Sequence, residues 1–129
     1  MSNSKQKAAI VVLSDPNTGG EESLGRVFNA LAVAYDYQSR GDDVQILFQG
    51  AGTRWPAELS KVDHPAHGLF KEVSESVAGA SCGCADVFGA REGVETAGLE
   101  LLTDNAAPGT TGLPSLGAMT EQGFQIYTF

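Results

Sequence analysis

The sequence predicts an α/β domain with a mostly parallel sheet of about five strands flanked by helices, and three observations carry that expectation. Ala8-Ala9-Ile10-Val11-Val12-Leu13 is an unbroken, β-branched apolar run, the pattern of a strand buried on both faces of a parallel sheet. Leu24, Val27, Phe28, Leu31 and Tyr35 then recur at helical spacing. Val44-Gln45-Ile46-Leu47-Phe48 follows as a second strand, and strand, helix, strand in that order implies a right-handed crossover.

The remaining elements follow from local signals. The first strand ends in the turn cluster Ser14-Asp15-Pro16-Asn17, and Gly41 stands where a helix C-cap is expected. Gly50 to Lys61 is a loop with one helical turn after Pro56, and Pro65 opens a helix whose apolar side is Leu69, Phe70 and Val73. Val77 to Ser81 is a short third strand. Cys84 to Phe88 and Glu92 to Ala97 are helical pieces interrupted by Gly89, and Leu99 to Leu102 is a fourth strand. Asp104 to Pro114, rich in Gly, Pro and Thr, is a long surface loop of the kind that often carries function. Ser115 caps a final short helix through Glu121, and Phe124 to Phe129 closes the chain as a strand.

With 129 residues, the chain fits one domain, residues 1–129. Hydrophobic residues at 42% and charged residues at 19% set it apart from disordered chains. A net charge of −8 repels phosphate backbones and anionic lipid, so neither nucleic acid nor a membrane is an expected partner. Met1 to Lys7 is polar, and the apolar run behind it is too short for a signal-peptide core or a membrane span. A cytoplasmic protein is expected. Two cysteines one residue apart do not form a secretory disulfide framework, which agrees with a reducing compartment.

Open parallel sheets bind ligands where the strands deliver their C-terminal ends, so the loops there hold the candidate residues. Thr18-Gly19-Gly20-Glu21 precedes the first helix. Asn17, Gly19 and Gly20 are candidates for holding an anion there, while Thr18 and Glu21 have the spacing of a capping box. Neither a P-loop lysine nor a spaced dinucleotide glycine pattern is present, so a nucleotide is not supported and no cofactor is expected. In Gly50-Ala51-Gly52-Thr53-Arg54-Trp55, Gly52, Arg54 and Trp55 are binding candidates. Trp55 has two readings, pocket wall or core, and Arg54 two, anion partner or solvated side chain.

Ser81-Cys82-Gly83-Cys84-Ala85 places two thiols at a strand-to-helix junction, where the helix N-terminus stabilises the thiolate. The alternative is that both are buried as small apolar residues. His64 and His67 with the cysteines count to four zinc ligands, but structural zinc takes its cysteine pairs at wider spacing, so no metal site is expected. His67 belongs on the helix flank or near the thiols as a proton donor.

On these features the sequence resembles the DsrE-like family of small sulfur-relay proteins over nearly its whole length. The resemblance rests on the opening strand and long helix, Leu47-Phe48-Gln49-Gly50-Ala51-Gly52, Gly79-Ala80-Ser81-Cys82-Gly83-Cys84-Ala85, Pro114-Ser115-Leu116 and the closing strand. It implies a single-domain, flavodoxin-like, three-layer fold that assembles into homo-oligomers, with sulfur donor and acceptor proteins as further partners. It also implies that a cysteine at this junction accepts sulfur as a persulfide and passes it on, a role that falls on Cys82 or Cys84. Family members often carry one cysteine here, or two separated by two residues, whereas one glycine separates these. With Cys84 nearer the expected helix start, it is the expected nucleophile and Cys82 assists or resolves. Two other readings stay open: an oligomeric small-ligand-binding module with structural cysteines, and a redox or metal sensor using both thiols.

Overall fold

The structure, a computed structural model, describes residues 5–129. Residues 1–4 of the polar N-terminal stretch lie outside the described residues. The strands are β1 (Lys7–Val12), β2 (Asp43–Phe48), β3 (Val77–Ser81), β4 (Leu101–Leu102) and β5 (Gln125–Thr128). They form one sheet in the order β4-β3-β2-β1-β5, and every pairing is parallel. Here β1 sits inside the sheet, with Ile10 opposite Ile46 on one side and Tyr127 on the other. That position explains its apolar run, because a strand paired on both edges and covered on both faces has no side for polar residues.

The helices are α1 (Gly20–Ser39), α2 (Trp55–Leu59), α3 (His67–Glu72), α4 (Cys82–Val87), α5 (Arg91–Thr96) and α6 (Leu116–Glu121). α1 buries Val27, Ala30, Leu31 and Ala34, which its 3.6-residue period brings to one side. It ends after Arg40 in a Schellman motif: Gly41 at φ 80° donates to the Gln38 carbonyl, and Asp42 donates to that of Tyr37. Ala8, Ile10, Val12, Val44, Ile46 and Phe48 face α1, Leu59, Phe70, Val73 and Val94 in the larger core. The opposite face is smaller, with Ala9, Leu47 and Phe124 meeting Met119 of α6. These layers make the α/β fold a flavodoxin-like arrangement.

Three local expectations are corrected. The Thr18–Glu21 capping box does not form, because α1 begins one residue later with Gly19 at its N-cap and the Thr18 hydroxyl donates to Asp15. Residues 50–61 are mostly helical: a 3-10 turn over Gly50–Arg54 runs into α2, with Pro56 in its first turn, where a missing N–H costs nothing. The helix expected from Cys84 starts at Cys82, since the Ser81 hydroxyl caps it by accepting from Cys84 N–H at 3.2 Å. The final helix is capped as expected, with the Ser115 hydroxyl accepting from Ala118 N–H.

Candidate functional site

β3 delivers Ser81, Cys82 and Gly83 to the C-terminal edge of the sheet, and all three are buried. Cys82 is 5% exposed and its Sγ accepts a hydrogen bond from Arg91 Nη2 at 3.0 Å. Arg91 comes from the start of α5, across the Gly89 break, and its Nε donates to Asp86 Oδ1 at 2.8 Å. Asp86, one turn along α4 from Cys82, also accepts the Thr111 hydroxyl at 2.6 Å. Thr111, Asp86, Arg91 and Cys82 are therefore one connected chain of polar contacts. Arg91, followed by Thr111, holds the Asp86 carboxyl below its ordinary range, so it is anionic at neutral pH. The Asp86 hydrogen bond, and then Cys82 beside it, raises Arg91 above the usual guanidinium range. A fixed guanidinium against sulfur offers a charge-assisted hydrogen bond whenever that sulfur carries negative charge.

Cys84 is placed differently. Only partly buried, it contributes its backbone N–H to the Ser81 cap, and no hydrogen bond to its sulfur forms among the described residues. Both thiols are free. Residues two apart on an α-helix point roughly 200° apart around its axis, so joining Cys82 to Cys84 would require α4 to unwind. That geometry speaks against the disulfide-sensor reading.

The binding candidates in the segments after β1 and β2 assemble around a different residue, Asp15. Its carboxylate accepts the Asn17 N–H at 2.9 Å, the Thr18 hydroxyl at 3.0 Å and Arg54 Nη1 at 3.0 Å. The Asn17 N–H, then Thr18 and Arg54, hold it below its ordinary value of 3.8 against the opposing effect of burial. This internal carboxylate takes the Asn17 N–H and the Arg54 charge that an external anion would need. Gly19 donates to the Asp15 carbonyl, and Gly20 begins α1. Arg54 also donates to the Phe88 carbonyl and lies over the Phe88 ring, so it is held by the protein while part of it still borders the cavity between α2 and α5. Trp55 is 2% exposed, donates from Nε1 to Ser14 and meets His64 edge-on, which makes it core. Gly52 is buried where a Cβ would collide with the Val12 carbonyl, so its role is close packing.

His67 Nδ1 lies 2.8 Å from the Leu59 carbonyl, and His64 Nδ1 accepts the Ala66 N–H. The two imidazoles are thus engaged in the α2–α3 connection. No group of three or more His, Cys, Asp and Glu positioned for a metal ion forms among the described residues. Two cavities border the same edge of the sheet. One of about 500 Å³ lies between α2 and α5, lined by Asn17, Arg54, Glu58, Glu92 and small residues such as Ala57 and Gly93. Another of about 330 Å³ lies at the C-terminal ends of β1 and β5, the topological switch point, but there Arg26 is paired with Glu22 at 2.7 Å.

Sequence reasoning brought out the thiols but missed Arg91, Asp86 and Thr111. A signal was present: Arg91 is the only basic residue after Lys71. No family model, curated protein or solved structure matches the chain.

Proposed function

We propose that this protein is a DsrE-like sulfur carrier that accepts sulfur as a persulfide on Cys82. The observation that carries the reading is the Arg91 guanidinium held 3.0 Å from the Cys82 sulfur by Asp86. The order of the two thiols is thereby reversed from the sequence expectation, with Cys82 the acceptor and Cys84 outside the reacting pair. In the transfer, the Cys82 thiolate attacks the outer sulfur of a donor persulfide, R–S–SH. The donor S–S bond breaks, a new S–S bond forms on Cys82, and the donor leaves as its thiolate with no net electron transfer. Arg91 balances negative charge on the incoming sulfur, and the reverse exchange with an acceptor thiol discharges it.

The carrier works in the cytoplasm, where both thiols stay reduced, and as a homo-oligomer that meets separate donor and acceptor proteins. The thinly covered face of the sheet, where Ala78, Leu102 and Ile126 are only partly buried, supports self-association. No helix is long and apolar enough to cross a membrane among the described residues.

A second reading, a small-ligand-binding module, is favoured by the cavity of about 500 Å³ that brings Asn17 and Arg54 together. Intact-mass analysis after incubation with a persulfide donor separates the two. The carrier gains the mass of a sulfur atom, reversibly with reductant, and loses that gain in Cys82→Ser but not in Cys84→Ser. A binding module gains none, and its ligand affinity is indifferent to both substitutions.

A further inference from the structure

The long loop 104–113 rests on the first turn of α4. Gly83 N–H, the group next to Cys82 along the chain, donates to the Gly112 carbonyl at 2.7 Å. A Cβ at Gly83 would stand 3.1 Å from that carbonyl and 3.3 Å from Thr110 Cβ, so the glycine is what lets the loop approach. The second tie is the Thr111 hydroxyl on Asp86, the carboxylate that also positions Arg91. Beside these ties the loop does not fill the space against α4. A cavity of about 310 Å³ lies beneath the loop, lined by Gly83, Asp86, Val87, Gly109, Thr110 and Thr111. Asp104, Asn105, Gly109, Thr110 and Thr111 are exposed on the other side. The ends of the loop are pinned together by the Asn105–Leu113 bridge, so the segment between them leaves and rejoins the body of the protein at one place.

A carrier thiol has to meet a bulky donor, yet Cys82 is buried beside Gly83 and Asp86, the two residues to which the loop is tied by hydrogen bonds. We propose that loop 104–113 is a lid over Cys82, latched by Thr111 on Asp86 and by Gly112 on Gly83, and that sulfur transfer requires it to open. The inference rests on Cys82 being the working thiol. Opening uncovers the sulfur and frees the Gly83 N–H to donate toward it, while Asp86 keeps Arg91 in place.

The test uses the Cys84→Ser protein, so that one thiol reports, and compares it with the same protein carrying Thr111→Val. Iodoacetamide alkylation of Cys82 and hydrogen exchange at the Gly83 amide are followed together, neither of which needs a sulfur donor. Losing a hydrogen bond to a charged group is expected to raise both rates about tenfold, because each is set by the population of the open lid. Thr111→Ser keeps the hydroxyl and is expected to retain both original rates. Faster exchange with unchanged alkylation overturns the lid, as does no change in either rate. Failure of the carrier reading is a separate result: Cys82 alkylates readily in the open-lid variant but takes up no sulfur from the donor.

Discussion

The side chains that define the candidate site are held by contacts the sequence does not announce. Arg91 lies nine residues beyond Cys82 and past a helix break, and only the packing of α5 beside α4 brings it to the sulfur. Cys82 and Cys84 were visible as chemistry, but which of them faces a cation depended on where α4 begins, a matter of one serine cap. Trp55 is buried with Ser14 on its indole, and Arg54 is held by Asp15 and Phe88 at the rim of the cavity between α2 and α5. Another residue-scale pair stands at the far end of α1. The Tyr37 and Tyr127 hydroxyls are 2.6 Å apart, and that hydrogen bond, with burial, pushes Tyr37 up to about 12 from its ordinary value of 10.0. The folded state favours the neutral phenol, so its stabilisation is complete below the unfolded value and is lost as pH rises through the folded one. Urea unfolding at about pH 8 and about pH 11 is expected to show a loss of stability that Tyr37→Phe makes smaller, at a neutral-pH cost of about 1 kcal/mol. An equal alkaline loss in the variant would assign it to other groups.

Among the elements, β1, α1 and β2 were legible because each carries a full period of apolar residues into a core that needs it. β3 was harder. Val77-Ala78-Gly79-Ala80-Ser81 has little apolar bulk, since a strand irregularity falls beside Gly79 and the Glu100 carbonyl packs where a side chain would stand. β4 is only Leu101–Leu102, too short for any period to show, and the helical content of residues 50–59 was masked by two glycines. Close approach of backbone also governs the junction of that segment with β1. Gly52→Ala places a methyl group against the Val12 carbonyl, and neither partner can yield without moving a central strand. Chemical denaturation is expected to show a loss of about 2–3 kcal/mol with an unchanged slope. A variant as stable as the parent would mean that the turn after β2 is free to shift.

For the molecule as a whole, the all-parallel order β4-β3-β2-β1-β5 brings every strand's C-terminal end to one edge, where the thiols, Asp15 and a cavity of about 500 Å³ all lie. The topological switch point falls between β1 and β5, whereas a thiol, a cation and the long loop come together at the end of β3. Fold follows from apolar periodicity spread over many residues, whereas the site depends on single contacts between segments distant in sequence. In the proposed carrier, Arg91 makes Cys82, and not Cys84, the sulfur acceptor. Intact-mass spectrometry after incubation with a persulfide donor tests it most directly on the parent, Cys82→Ser, Cys84→Ser and Arg91→Gln proteins. A reductant-reversible sulfur adduct is expected in the parent and Cys84→Ser, none in Cys82→Ser, and about a tenfold lower yield in Arg91→Gln, from the loss of a charge-assisted hydrogen bond. An adduct that survives in Cys82→Ser and disappears in Cys84→Ser would contradict it.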